Sequence, residues 1–165
     1  MDVASKAYQN LLKRRPLNVR ARFGNEPLGL VSGRDIASAM NEAGAIALAA
    51  NARNALVIKG VLKAAKKLDA AVLLELAKSE STYCGATYEN IPDYALQYSA
   101  ELGHGVVFGL HVDHYGIKGP DDVLKGAAHL GHVLARGFTS VALDASHLPD
   151  YENLRATRNL AAWIP

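Results

Sequence analysis

The chain has 165 residues, 50% hydrophobic and 21% charged, with a formal net charge of +2. That composition suits one folded domain with a buried core, and the near-balanced charge excludes any need for nucleic acid or an acidic membrane as partner. A single cysteine, Cys84, excludes an internal disulfide and a zinc finger and fits a reducing, cytoplasmic compartment; no stretch approaches the ~20 apolar residues of a membrane span, and Met1–Asn10 lacks the apolar core of a secretory signal.

Residues 1–31 read as a basic N-terminal extension to a domain over 32–165. Residues 1–22 carry Lys6, Lys13, Arg14, Arg15, Arg20 and Arg22 against the single acid Asp2. A helix lying across the body or a neighbouring subunit fits this better than an organelle leader, because Asp2 and the short length depart from the transit pattern. Ser32 is a good N-cap, followed by an acid in the first turn, so a helix is expected through Met40, ending near Gly44. Ala45–Ala50 is a short apolar run suited to a buried strand. Asn54 caps a second helix through Leu68, in which Leu56, Val57, Val61, Leu62 and Ala65 recur at helical spacing.

Ala70–Leu76 reads as a second strand. A Tyr/Ser/Gly-rich loop follows, then a helix with Pro92 near its start that reaches about Leu102. Val106–Val112 is the third strand. Pro120 fits the first turn of a helix to about Arg136, with Gly137 just past its end. Phe138–Leu143 is the fourth strand, and the last helix spans Tyr151–Trp163. Four strand–helix alternations with near-continuous apolar strands imply an α/β fold of parallel strands covered on both faces. An open doubly wound sheet and part of a (β/α)8 barrel both fit. No G-x-G-x-x-G turn follows the first strand, which removes support for a dinucleotide.

Chemistry concentrates where strands end, the usual place for sites in such folds. The third strand closes on His111-Val112-Asp113-His114, and alternation puts His111 and Asp113 on one face while His114 can turn separately. Polar titratable groups at the tip of an apolar strand are costly unless hydrogen-bonded or bound to metal. Neutral imidazole is a zinc ligand and a nearby carboxylate can move protons. The fourth strand closes similarly, on Asp144-Ala145-Ser146-His147, beside the first cluster in a parallel sheet.

At these residues the chain resembles the class II fructose-bisphosphate and tagatose-bisphosphate aldolases. Leu110–His114 is similar to that family's L-H-x-D-H strand, and Gly137–His147 to its G-F-T-S-V-M-I-D-x-S-H segment. Glu152-Asn153-Leu154 resembles the E-N-[IL] that follows. Upstream, Ala49-Ala50-Asn51 resembles A-F-N, and Ala71–Gly85 resembles a P-V-I-L-Q-x-S-x-G stretch, with Tyr83 and Gly85 matching its end. The resemblance implies a zinc-dependent lyase that cleaves or forms a ketose phosphate, such as fructose 1,6-bisphosphate, through a zinc-stabilised enediolate. It implies the first four β/α units of a (β/α)8 barrel. Asp113 would exchange the proton on the cleaved hydroxyl, His114 would be the first zinc ligand, and Asp144 a secondary carboxylate beside the metal. Asn51 would lie near the substrate.

Some positions depart from the pattern. Ala77 replaces a phosphate-binding serine, Ser79 a glycine and Glu75 a glutamine, so phosphate contacts would fall to Lys78 and Ser79. The family's other zinc histidines belong to later strands, and a whole barrel needs ~250 residues. The expected partners are therefore a small sugar phosphate and either a second copy of the chain or the rest of a barrel. A metal-dependent hydrolase on the same scaffold and a non-catalytic relative are the competing readings; a Schiff-base mechanism is weaker, since Lys59 lies in an expected helix and Lys78 lacks an evident desolvated setting. His129 and His132, three apart on a helix, are expected to be an exposed or packed pair rather than metal ligands, and Tyr88, Tyr94 and Tyr98 to pack helix on sheet.

Overall fold

The computed structural model of the protein describes residues 1–164. Eleven α-helices and strands follow in the order α1 (Lys6–Lys13), α2 (Leu17–Phe23), α3 (Gly33–Glu42), β1 (Leu48–Asn51), α4 (Ala55–Leu68), β2 (Ala71–Ala77), α5 (Ile91–Glu101), β3 (Val107–Gly116), α6 (Pro120–Ala135), β4 (Ser140–Asp144) and α7 (Asp150–Ala161), with a 3-10 turn at Glu80–Thr82. The four strands form one parallel sheet in the order β1-β2-β3-β4. No helix among the described residues is long and apolar enough to cross a membrane.

The caps read from sequence form as expected. Ser32 accepts from the Arg34 amide and Asn54 from the Val57 amide, satisfying donors that a helix start leaves free. The even positions of the central strands, Leu74, Leu76, Phe108, Leu110 and Val112, are fully buried. They share a core with Ile58 and Leu62 of α4, Ile91 and Ala95 of α5, and Leu130 and Val133 of α6. The odd positions face the other side, where cover is partial. A side chain at Gly109 would meet Leu73 Cδ2 at 2.7 Å and Ile36 Cδ1 at 3.4 Å, so glycine there lets α3 close over the start of the sheet. Tyr88 and Tyr98 are buried, and Tyr94 stacks on Tyr98.

The basic leader folds onto the body. Tyr8 is fully buried; its hydroxyl donates to Pro27 O (2.8 Å) and accepts from the Gly105 amide (3.2 Å). Asn18 donates to Leu134 O and Phe138 O, and Arg15 to the carbonyls of Leu12, Gly24 and Glu26.

Strand limits differ from the sequence expectation for reasons of pairing. β1 begins at Leu48 rather than Ala45, because Leu48 pairs with Val72 and so residues 45 and 46 precede the first residue of β2. β4 begins at Ser140 rather than Phe138. The edge of β3 beside Phe108 is already taken by residues 29–31: Phe108 N donates to Gly29 O and Val31 N to Phe108 O. β3 continues past Val112 to Gly116, because β4 supplies Leu143 and Asp144 as partners for Tyr115 and Gly116. The last helix is Asp150–Ala161, so Ala162 and Trp163 lie beyond it.

Candidate active site

Register assembles the site. Asn51 pairs with Glu75, Glu75 with His111, and His111 with Ser140. Partners across parallel strands share a face, so these four residues form one polar row across all four strands. Asp113, two residues beyond His111 and paired with Ala77, stands one step further along that face. Donor atoms of Glu75, His111 and Asp113 lie within 4.8 Å of one another. His111 Nδ1 shares a hydrogen bond with Ser140 Oγ at 2.9 Å.

The motif therefore sits inside β3, and an irregularity rather than a strand end turns His114. The register shifts between Val112 and Tyr115, and His114 adopts φ +42°. The extra residue of such a bulge re-aims a side chain. His114 reaches Asp144 with Nδ1 3.2 Å from Oδ2, its side chain 72% exposed. Tyr115 returns to the helix side, where its hydroxyl bonds His129 Nδ1 at 2.9 Å.

The fields at the site are uneven. Burial, then the charge of Asp113, pushes the Glu75 carboxyl up. Burial lowers His111 against the pull of Asp113, which favours neutral imidazole. His114 is raised by its hydrogen bond to Asp144 and by Asp113. The Ser146 hydroxyl and amide, then His114, bring Asp144 down to about 2.

Asp113 and His114, within the last residues of β3, thus come together with Asp144 at the end of β4, and Asn51 lies in the row beside them. Lys78 goes elsewhere. Its Nζ donates to Gly116 O (3.1 Å) and sits 4.1 Å from the centre of the Tyr115 ring, on the α6 side of the sheet rather than with the row. Ser79 is exposed at the start of the 3-10 turn, its carbonyl taken by the Thr82 hydroxyl. The helical histidines diverge, His129 to Tyr115 and His132 to Glu89; they share no ligand position.

Two participants escaped the sequence reading. Glu75 appeared there only as the replacement of a glutamine, though a lone carboxylate at an odd position of A-V-L-L-E-L-A was the available signal for a place in the row. Glu80 is buried and accepts from Arg53 Nε (2.8 Å), Arg53 Nη2 and the Ala77 amide. Local pattern gives no sign of this clamp, because Arg53 lies 27 residues away.

Residues 31–164 match the family model described as fructose-bisphosphate aldolase class-II. A fructose-bisphosphate aldolase of Treponema pallidum is 28% identical over 137 residues, 82% of this chain and 39% of that protein. One from Giardia intestinalis is 28% identical over 114 residues, 68% of this chain and 31% of that protein. The chain thus spans less than half the length of these curated relatives. A crystal structure from Coccidioides immitis, provisionally described as a fructose-1,6-bisphosphate aldolase, superposes with a TM-score of 0.61 at 23% identity, over 79% of this chain and 42% of that one.

Proposed function

Because the chain belongs to the class-II fructose-bisphosphate aldolase family, we propose that it supplies the first four β/α units of a (β/α)8 barrel that cleaves or forms a ketose phosphate such as fructose 1,6-bisphosphate. The observation that carries this reading is the bulge in β3 that turns His114, next to Asp113, onto Asp144 at the end of the adjacent parallel strand β4.

His114 suits a metal. Its Nδ1 is engaged by Asp144 and its ring is otherwise exposed, so Nε2 is available while the carboxylate fixes the ring, the arrangement common to metal-bound histidines. Zinc held there together with ligands from outside the described residues would supply Lewis-acid stabilisation of charge on a carbonyl-derived oxygen. The rest falls to the chain. Asp113, on the row's face, exchanges the proton of the substrate hydroxyl. Asn51 at the end of β1 and Ser79 in the loop after β2 orient the sugar phosphate, and Asp144 holds His114 in position.

In a complete enzyme containing this chain, Asp113→Asn is expected to slow cleavage by ~10²-fold or more, the usual scale for a lost acid–base group, without loss of zinc. His114→Ala should lower zinc content and activity together. A coupled triose-phosphate assay with metal analysis decides the matter: equal zinc and equal rates in the wild type and His114→Ala would refute the reading.

A further inference from the structure

The row holds a donor set of which the aldolase reading uses only Asp113. Glu75 and His111 sit side by side on adjacent strands, and Asp113 stands one step along. Their ligand atoms lie within 4.8 Å of one another. A cation bound tetrahedrally at ~2.0–2.2 Å from two donors holds them about 3.4 Å apart, so side-chain rotations that draw the donors roughly an ångström closer would close the set. His111 is preset for the role, since Ser140 holds Nδ1 and leaves Nε2 uncommitted. Its neutral form, favoured by burial, is the ligating form.

A second observation comes from the neighbouring strand. Asn51 Oδ1 is buried and has no hydrogen-bond partner among the described residues. Asn51 pairs with Glu75 on the same face. An orphaned buried acceptor has a desolvation cost that a cation or donor would offset. Two carboxylates without a cation between them also repel, which is part of why Glu75 is raised.

We propose that Glu75, His111 and Asp113, with Asn51 Oδ1 as a neutral oxygen beside them, form a divalent-cation site built from donors other than His114. One imidazole among oxygens suits manganese, iron(II) or zinc. This site does not depend on the aldolase reading. Its consequence does: a cation holding the Asp113 carboxylate withdraws it from proton transfer, so excess cation would slow the complete enzyme.

The test is Mn2+ titration of the 165-residue chain, with free Mn2+ read by electron paramagnetic resonance. The wild type is expected to take up one Mn2+. Glu75→Gln and His111→Gln should each weaken binding by ~10-fold or more, at least what losing an outer-shell partner costs, while His114→Ala binds as the wild type does. Circular dichroism checks each variant's fold, and Glu75→Asp, which keeps the charge but draws it back, gives a second reading with an intermediate loss. Absence of binding up to ~1 mM, the weak end of carboxylate-built sites, overturns the proposal. So does affinity indifferent to Glu75→Gln and His111→Gln, or abolished by His114→Ala. In the complete enzyme, inhibition by Mn2+ should be relieved by Glu75→Gln. If the complete enzyme has no lyase activity while the chain binds Mn2+ as described, the aldolase reading fails and the cation site stands.

Discussion

His114 combines an unfavourable backbone with an exposed, hydrogen-bonded ring. A non-glycine residue at positive φ costs about 1–2 kcal/mol, and His114 sits at φ +42°. Removing the side chain releases that strain while losing only an exposed contact to Asp144. His114→Gly is therefore expected to leave urea-unfolding stability unchanged or raised, whereas His114→Val, β-branched at the same φ, should lose about 1–2 kcal/mol. A large loss in His114→Gly would show that the ring supports the fold. Asp144 gives the complementary test. Its folded pKa, about 2, lies below its ordinary 3.8, so the folded state holds a proton less readily than the unfolded chain. The resulting stabilisation is present above the unfolded value and lost as pH falls through the folded one. An NMR titration should find the Asp144 midpoint near 2, and Ser146→Ala should raise it more than His114→Ala. A wild-type midpoint at the ordinary value would contradict this. For His114 the sign is opposite: its raised pKa means that the pair with Asp144 stabilises at low pH and fades as pH rises through that pKa.

The loop after β2 is an element whose shape depends on one buried carboxylate. Burial pushes Glu80 up, but hydrogen bonds from Arg53 and the Ala77 amide outweigh it and hold Glu80 low. The Glu80 side chain is 8% exposed and that of Arg53 57%, so the pair spans interior and surface and ties the end of β1 to the end of β2. Arg53→Ala strands the carboxylate and should cost about 1–3 kcal/mol. The double variant Arg53→Ala/Glu80→Ala should cost less than the sum of the singles, because removing Glu80 also removes the stranded charge. Urea unfolding of the four proteins closes the cycle. Strict additivity would mean that the two groups stand independently.

At the scale of the whole molecule, the sheet ends in β1 on one side and β4 on the other. Ile46 is 94% exposed and Leu48 67% exposed at the β1 side. Leu154 and Trp163, on and just beyond α7, are 72% and 70% exposed. Open strand edges beside exposed apolar side chains invite pairing with another chain. The 165-residue chain is expected to associate with itself as concentration rises, which light scattering will register. Leu48→Lys, placing a charge on the β1 edge, should reduce that association. A monodisperse monomer across the concentration range would contradict the expectation.

The sequence by itself determined the alternation of strands and helices, the caps at Ser32 and Asn54, and the family resemblance carried by Leu110–His114 and Gly137–His147. These are local: a cap or an apolar run needs only its neighbours in the chain, and a motif is a run of adjacent letters. It also put His111 and Asp113 on one face, since alternation follows from the strand alone. Tertiary structure decided what depends on register. Residues 29–31 took the edge that Phe138 would have used, β4 extended β3 beyond Val112, and the bulge at His114 arose within that β3–β4 pairing, between Val112 and Tyr115. Glu75 joined the row and Lys78 left for Tyr115 for the same reason. Which residues lie opposite one another across parallel strands is set by how far each strand slides along its neighbour, and no single strand carries that information.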